Sequence, residues 1–364
     1  MTIVLIVDDF PTVSQTFLVS KFLGLLARGW DVQVLCLGER QTMPDYFPEL
    51  LDPAAAARIH AANNDSAHAE SILHNLHPTL IHFEFGALAV PYVGWKAALK
   101  CKLTASFRGY DLNYVGLDQP DFYRAVWREA DGFHLLGQDL WQRAQRRGCP
   151  PTAHHALIPP AIDTAFFNPG ARQHTEAVGS AERPFRLLSI GRLVWKKGHT
   201  YALDAVAALR AQGIHTELTI VGDGILADDL LNLANRLGLG DAVNFTGAQP
   251  RDFVRRQLLA ADVLLHTAVS EGFCNAVLEA QAMGLPVVCS DADGLAENVV
   301  DGVTGFVRPR RQAAVFAEEL ARLARNPDLR QKMGAAGRQR VRSHFRLENL
   351  IDQFETFYDE LLGS

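Results

Sequence analysis

An α/β fold of two doubly wound, parallel-sheet domains is the fold class that the sequence predicts. Its 364 residues are about twice the length of a usual single domain. Short apolar runs alternate with longer helical patterns in each half, as in βαβ units with helices on both faces of a sheet. A segment rich in proline, glycine and polar residues at 158–184 interrupts this alternation. Ligands bind beyond the carboxyl ends of such strands, so we expect a site where the two domains face each other across a cleft.

The N-terminal domain, which we place at 1–168, begins with a buried strand and continues with alternating elements. Runs of apolar and β-branched residues predict its strands at 3–7, 32–37, 80–85 and 103–107. Helical patterns lie at 16–27 and 67–76, and Gly29 ends the first of them.

A linker is predicted at 169–184, followed by a second α/β domain at 185–345. Its predicted strands are 186–190, 217–221, 242–246, 263–266, 286–289 and 305–307, and its clearest helical patterns are 200–212 and 228–237. The last segment, 346–364, forms an amphipathic helix whose apolar face includes Phe354 and Phe357. That face is expected to pack onto a domain, for which the N-terminal one is a candidate.

The composition excludes several classes of protein. A net charge of −6, with neither half basic, argues against a nucleic-acid-binding domain. No uncharged apolar run reaches the ~18 residues that a transmembrane helix requires, and the N-terminus lacks the basic segment of a signal peptide. The five cysteines include no C-x-x-C pair, as is usual for reduced thiols. We therefore expect a cytoplasmic protein without a nucleic-acid partner or a transmembrane segment.

The strongest functional motif, at 270–284, follows the predicted strand 263–266 and opens a helix. The free N–H groups in the first turn of a helix attract an anion or hydroxyl oxygens. Glu271 precedes that turn and Glu279 lies about one turn into the helix, so their carboxylates suit the vicinal hydroxyls of a sugar. Two ordinary charges near a helix start are the alternative interpretation.

A basic motif, Gly191 to Gly198, follows the first strand of the second domain. Arg192 offers a planar fork of donors and Lys197 a point charge, which together suit a diphosphate. The two glycines permit close approach of the backbone. A solvated basic loop is the alternative interpretation.

A glycine-rich turn, Gly222-Asp223-Gly224, follows the next strand. The sequence from 222 to 227 matches the dinucleotide-binding fingerprint G-x-G-x-x-A, which would indicate a nicotinamide-dependent dehydrogenase. That fingerprint belongs in the first βα turn of its domain, whereas this turn follows the second strand. The dehydrogenase therefore stays an alternative only.

In this order, the three motifs resemble those of the retaining glycosyltransferases of family 4, which have the GT-B fold. The family carries G-R-L-x-x-x-K-G, V-G-D-G and E-G-F-x-x-x-x-x-E, which correspond here to 191–198, 221–224 and 271–279. Further similarity at 158–169 and 294–309 extends the match over most of the second domain.

The resemblance implies a site for a nucleoside-diphosphate sugar. Arg192 and Lys197 would hold the diphosphate. Glu271 would hold the transferred sugar and Glu279 the ribose. The backbone around the sugar, the phosphates and the nucleobase would come from Gly191, Gly222, Gly247, Ala248, Gln249, Gly272, Phe273 and Cys274.

The resemblance implies neither a catalytic metal nor another cofactor, because members of the family need none. Asp291-Ala292-Asp293 has the spelling of a metal-binding D-x-D, but it falls in a loop after Cys289. We therefore expect no metal site at this sequence.

The N-terminal half resembles the exopolysaccharide branch of the family, of the colanic acid type. Residues 10–17 resemble its F-P-x-x-S-E-T-F, with Gln15 in place of glutamate. Residues 80–86 resemble I-H-A-H-F-G with Glu84 in place of the second histidine, and 106–111 match S-F-H-G-Y-D with Arg108 in place of histidine. Arg108 can bind a diphosphate, but unlike the histidine that it replaces it cannot exchange a proton. The acceptor-side residues that these motifs imply are Ser14, Gln15, Glu84, Tyr110 and Asp111.

The function implied is that of a retaining, metal-independent glycosyltransferase in polysaccharide biosynthesis. It would move a sugar from a UDP- or GDP-sugar to a glycan or a lipid-linked acceptor, and a lipid-linked acceptor would bring it to the inner membrane face. The residues expected to carry catalysis are Arg108, Arg192, Lys197 and Glu271. A non-catalytic, regulatory protein that binds sugar nucleotides is the alternative.

Overall fold

The computed structural model describes residues 1–12, 15–43, 46–170 and 176–363, and it divides into two compact units. The first unit comprises Met1–Ala161 and Leu347–Ser364, and the second comprises Ile162–Arg346. The division falls before the expected boundary at 168, and the expected linker lies in the second unit. Arg183, at the end of this segment, forms a bidentate ion pair with Asp262, with N···O distances of 2.7 and 3.0 Å.

A seven-stranded parallel sheet forms the centre of the first unit. Its strands are β1 (Thr2–Val7), β2 (Asp31–Cys36), β3 (Ile59–Ala61), β4 (Leu80–Phe83), β5 (Lys102–Phe107), β6 (Gly132–Leu135) and β7 (His155–Leu157). Their order is β3-β2-β1-β4-β5-β6-β7, so the direction of winding reverses between β1 and β4. The sequence predicted β1, β2, β4 and β5 but missed the short strands β3, β6 and β7.

Helices surround this sheet and connect its strands. They are α1 (Thr16–Ala27), α2 (Pro53–Ala56), α3 (Ser66–Leu76), α4 (Gly86–Ala89), α5 (Trp95–Leu99), α6 (Gly109–Asn113), α7 (Arg124–Glu129) and α8 (Gln138–Arg146), with single 3-10 turns at Pro48–Leu51 and Val90–Tyr92.

The second unit is built on a six-stranded parallel sheet. Its strands are β8 (Phe185–Ile190), β9 (Thr216–Val221), β10 (Val243–Phe245), β11 (Val263–His266), β12 (Val287–Ser290) and β13 (Gly305–Arg308). The order β10-β9-β8-β11-β12-β13 places the reversal between β8 and β11. All six predicted strands are present, with small shifts at their ends. The crevice at such a reversal, beyond the carboxyl ends of the strands, is the usual ligand site of an open α/β sheet.

The helices of the second unit cover both faces of its sheet. They are α9 (His199–Ala211), α10 (Ala227–Arg236), α11 (Arg251–Ala260), α12 (Asn275–Ala282), α13 (Ala313–Arg325) and α14 (Pro327–His344), with 3-10 turns at Trp195–Lys197 and Asp293–Glu297. None of the helices in the described ranges combines the length and the apolar composition that crossing a membrane requires.

The C-terminal helix, α15 (Leu347–Leu362), belongs to the first unit. Its apolar face enters the core built on β1 and α1, and it buries Ile351, Phe354 and Tyr358 there. Gly24 of α1 makes the close approach between the two helices feasible, because a Cβ at that position would lie 2.5 Å from Ile351 Cδ1.

Candidate functional site

The three motifs of the second unit lie at the carboxyl ends of adjacent strands. Gly191 follows β8 and Gly222 follows β9, and a Cβ on Gly222 would lie 2.0 Å from the Gly191 carbonyl oxygen. The Gly222 N–H also donates to the Gly247 carbonyl at 2.9 Å. Glycine is needed at 222 because the contact is close and because φ is +145°. The structure thus brings three of the predicted donor-binding positions into direct contact.

Lys197 and Glu271 meet although 74 residues separate them. Lys197 ends the 3-10 turn after β8, Glu271 follows β11, and the ammonium donates a hydrogen bond to Glu271 Oε2. Burial would raise the pKa of Glu271, but the charges of Lys197 and His266 hold that pKa at about 2. The structure therefore joins the cation predicted for the diphosphate to the carboxylate predicted for the sugar.

Arg192 and Lys196 add two more positive charges beside Lys197. The Arg192 side chain is exposed, and it has no hydrogen-bond or ion-pair partner among the described residues. The pKa of Lys196 is lowered by burial and by the Arg192 charge. Three cations within one loop are an electrostatic arrangement suited to an anion.

His266 and Cys274 lie on the buried side of the Lys197–Glu271 pair, a contact that was not predicted from the sequence. His266 Nε2 lies 3.6 Å from Glu271 Oε2 and 3.5 Å from Cys274 Sγ. Burial would lower the pKa of His266, but Cys274 and Glu271 raise it to about 9. A histidine at the end of a fully buried strand is the signal that sequence analysis could have used.

The turn before α12 contains the backbone groups predicted for the sugar. The Cys274 N–H donates to Asn298 Oδ1 at 3.2 Å, so this group is already engaged. The N–H groups of Gly272 and Phe273 have no hydrogen-bond partner within the described residues. Two of the three predicted backbone donors are therefore available to a ligand.

Glu279 lies in the second turn of α12 and is partly buried. Burial raises the pKa of its carboxyl to about 7, and the charge of Arg251 counteracts this only in part. In the nearby segment predicted for the nucleobase, Gln249 Nε2 donates to the Thr246 carbonyl at 2.6 Å, while Ala248 is exposed.

Asp291 and Asp293, which spell D-x-D, both contact Arg310. The N···O distances are 3.5 Å to Asp291 and 3.1 Å to Asp293. Asp293 also accepts a hydrogen bond from Ser270 Oγ at 2.6 Å. The Arg310 guanidinium therefore contacts both carboxylates, and the Ser270 hydroxyl donates a hydrogen bond to one of them.

In the first unit, two departures from the family motifs contact each other. Arg108 Nη2 donates to Glu84 Oε2 at 3.2 Å, and Arg108 Nε donates to the Glu84 carbonyl at 3.2 Å. Lys21 Nζ donates to the other carboxylate oxygen of Glu84 at 2.5 Å. Glu84 is fully buried, Lys21 is 2% exposed, and the Arg108 guanidinium stacks on Phe17. One carboxylate thus holds two cations.

The neighbouring acceptor-side residues have different environments. Asp111 is buried, accepts the N–H groups of Ala87 and Arg108 at 3.1 and 3.0 Å, and has its pKa raised by burial to about 6. Tyr110 is 62% exposed. Gln15 Oε1 is buried without a hydrogen-bond partner in the described part of the chain. Ser14 lies outside the described residues.

A chain of buried polar groups continues behind Glu84. Lys21 Nζ lies 3.2 Å from His82 Nδ1, which lies 2.7 Å from the Tyr358 hydroxyl on α15. His82 Nε2 in turn lies 2.7 Å from Ser106 Oγ. The sequence predicted the apolar face of α15 but not this polar contact through it.

Comparisons with known proteins show similarity to glycosyltransferases. Residues 171–340 match the family described as Glycosyl transferases group 1. The amylovoran biosynthesis glycosyltransferase AmsK of Erwinia amylovora is 25% identical, over 93% of this chain and 94% of its own. The putative colanic acid biosynthesis glycosyltransferase WcaL of Escherichia coli (strain K12) is 26% identical, over 86% of this chain and 88% of its own.

Solved structures share the fold at low sequence identity. Anabaena HepE in complex with UDP-glucose has a TM-score of 0.81 and 17% identity, over 99% of this chain and 100% of its own. The sucrose-phosphate synthase of Thermosynechococcus elongatus has a TM-score of 0.77 and 20% identity, over 100% of this chain and 99% of its own.

The fold is therefore GT-B, and residues 171–340 are similar to the group 1 glycosyltransferases. The predicted fold class and the predicted resemblance to glycosyltransferases of the exopolysaccharide branch are both confirmed.

Proposed function

We propose that this chain is a glycosyltransferase of exopolysaccharide synthesis that uses a nucleoside-diphosphate sugar as donor. The observation that carries the proposal is the contact between Lys197 and Glu271, which holds a cation and a carboxylate together at the carboxyl ends of β8 and β11. A sugar diphosphate offers the matching groups, since its phosphates are anionic and its hydroxyls are hydrogen-bond donors. The names of AmsK and WcaL, and the UDP-glucose bound to HepE, support the same class of substrate.

On this proposal, each part of the donor has its own partner. Arg192 and Lys197 bind the diphosphate, and Glu279 accepts hydrogen bonds from the ribose. Glu271 accepts hydrogen bonds from the transferred sugar, to which Gly272 and Phe273 donate their N–H groups. The nucleobase lies against 247–249.

We infer transfer with retention, by attack on the face of the sugar that the diphosphate leaves. The bond between the anomeric carbon and the diphosphate oxygen breaks, and the acceptor hydroxyl oxygen bonds to that carbon. The hydroxyl proton passes to the departing diphosphate oxygen. Glu271 keeps its ion pair with Lys197, so no carboxylate needs to act as a nucleophile. Preorganised positive charge at the leaving group is the main source of rate enhancement in such a reaction.

Arg108 is the cation among the acceptor-side motifs of the first unit. Its Nη1 has no partner among the described residues, whereas Nε and Nη2 are fixed by Glu84. A guanidinium held in this way presents its remaining donors to an anion without loss of further side-chain freedom. We propose that it binds an anionic group of a ligand, at the position where the family motif has histidine.

Release of nucleotide from sugar nucleotides is the direct test of the function. We expect UDP or GDP to appear only with the correct donor, at a rate that EDTA does not reduce, because protein cations neutralise the diphosphate. A saturating donor, at 100 times its Kd, should stabilise the fold by about 2.7 kcal/mol. Loss of release in EDTA would contradict the metal-free mechanism.

The alternative is a protein that binds sugar nucleotides without turning them over. The buried Glu84–Arg108 pair favours it, because Arg108 cannot exchange a proton. Burial would raise the pKa of the Glu84 carboxyl, but the charges of Lys21 and Arg108 hold that pKa below its usual value. Thermal stabilisation by a sugar nucleotide without nucleotide release, with any glycan or lipid-linked acceptor offered, would support this alternative.

Donor affinity should increase with pH through the titration of Glu279. Its pKa is about 7, and the ionised form is the better acceptor for ribose hydroxyls. A UDP- or GDP-sugar has no titrating phosphate in this range, so Kd should fall about tenfold from pH 6 to pH 8. Glu279→Gln should bind weakly with no such pH dependence. Equal pH slopes in the two proteins would contradict the assignment.

A further inference from the structure

His266, Glu271 and Cys274 place a nitrogen, an oxygen and a sulfur atom around one point. His266 Nε2 lies 3.6 Å from Glu271 Oε2 and 3.5 Å from Cys274 Sγ, and the three atoms all lie within 4.8 Å of one another. His266 ends β11, and Cys274 is the N-cap of α12. Two regular elements therefore fix two of the three groups.

The two distances from His266 Nε2 fit a tetrahedral zinc ion. Bonds of about 2.3 Å to sulfur and 2.0–2.1 Å to nitrogen and oxygen place neighbouring sulfur and nitrogen ligands about 3.5 Å apart, and nitrogen and oxygen about 3.3 Å apart. The observed 3.5 and 3.6 Å differ from these values by a few tenths of an ångström at most. A set of imidazole, thiolate and carboxylate suits zinc, whereas magnesium and calcium take oxygen ligands.

We propose that His266, Glu271 and Cys274 form a zinc-binding site that competes with Lys197 for the Glu271 carboxylate. Zinc takes one atom from each residue and water as its fourth ligand. The Cys274 thiol loses its proton to solvent, and Glu271 exchanges the Lys197 ammonium for the metal. Because Glu271 is proposed to hold the sugar, zinc inhibits transfer. That consequence rests on the proposed function, whereas the binding itself does not.

The burial of the residues shows from which side the ion enters. The side chains of Glu271 and Lys197 are 16% and 15% exposed, while His266 and Cys274 are 2% and 4% exposed. The carboxylate therefore forms the mouth of the site, with the nitrogen and the sulfur behind it. Lys197 lies at the same mouth, so its ammonium weakens metal binding by charge repulsion and by competition.

Cobalt(II) titration of the protein without substrate tests the site directly. We expect uptake of one ion with a thiolate-to-cobalt charge-transfer band in the near ultraviolet, which zinc then abolishes by displacement. His266→Gln and Cys274→Ser should lose the band. Cys101→Ser, which removes another largely buried thiol of the chain, should keep it.

A lysine variant provides a second test, in which metal affinity is expected to increase and not to decrease. Lys197→Met removes the competing ammonium, so its affinity for cobalt and zinc should increase by about tenfold or more. An unchanged or weaker affinity would overturn the proposal, even if the histidine and cysteine variants fail to fold. A thiolate band that persists in folded His266→Gln would overturn it as well.

Inhibition by zinc connects the site to transfer. Wild-type nucleotide release should be inhibited by buffered free zinc and restored by EDTA, and His266→Gln should need at least about tenfold more zinc. If the chain releases no nucleotide under any condition, the proposed function fails while the cobalt titration still decides the zinc site.

Discussion

Replacement of Lys197 by alanine is expected to remove nearly all sugar transfer and to leave the fold intact. Lys197 follows β8, and its ammonium donates a hydrogen bond to the Glu271 carboxylate. Loss of one preorganised charge at a developing anion reduces turnover by about 10²–10³-fold. The fold should survive because His266, 3.6 Å from Glu271 Oε2, still compensates the charge of that carboxylate when the ammonium is absent. The measurement is kcat and KM for nucleotide release, with the thermal unfolding midpoint as the check on folding.

Lys196→Ala is the matched control for this prediction. Lys196 lies in the same turn, and its backbone carbonyl accepts the Val269 N–H at 2.7 Å, a bond that alanine retains. The hydrogen bond to Glu271 Oε2 comes from Lys197, so in Lys196→Ala turnover should fall by less than about tenfold. Near-normal turnover in Lys197→Ala, or equal losses in the two variants, would contradict the role assigned to Lys197.

The proximity of the three motifs in the second unit could be predicted from the sequence, because the topology of a parallel sheet determines where they lie. Arg192 and Lys197 follow one strand and Glu271 follows another, and all parallel strands end at the same edge of a sheet. Local turns with glycine, such as Gly222, are also visible in a sequence. The order β8-β11 could not be derived from the motifs alone, yet it is what makes Lys197 and Glu271 neighbours.

Buried polar contacts could not be predicted, because they depend on pairs of residues far apart in the chain. Lys21 lies on the apolar face of α1 between Val19 and Phe22, where a lysine normally extends its charge to water. Glu84 and Arg108 were identified as two separate departures from family motifs. Only the structure shows that each provides the charge that the other needs. The strands β3, β6 and β7 were missed for a simpler reason: each is three or four residues long and contains a histidine and only two apolar side chains, too few to form an apolar run.

Glu84→Gln is expected to destabilise the first unit by about 3–5 kcal/mol. Removal of one partner of a buried ion pair leaves an uncompensated charge, and here two cations share the carboxylate. Burial already lowers the pKa of Lys21 to about 8, although Glu84 raises it. The unfolding midpoint of this unit should fall on the order of 10 °C. Glu70→Gln, at an exposed position in a weak contact with His74, should change stability by less than about 0.5 kcal/mol.

A second substitution distinguishes lost charge compensation from lost packing. Lys21→Met in the Glu84→Gln background removes the cation that the glutamine can no longer neutralise, and methionine fills a similar volume against Phe354. The double variant should therefore be more stable than Glu84→Gln, although Lys21→Met alone should be less stable than the wild type. The wild type and the three variants form a double-mutant cycle with a coupling energy of about 0.5–3 kcal/mol. Additive losses would mean that the carboxylate stabilises the unit through its hydrogen bonds to Arg108 and not through charge shared with Lys21.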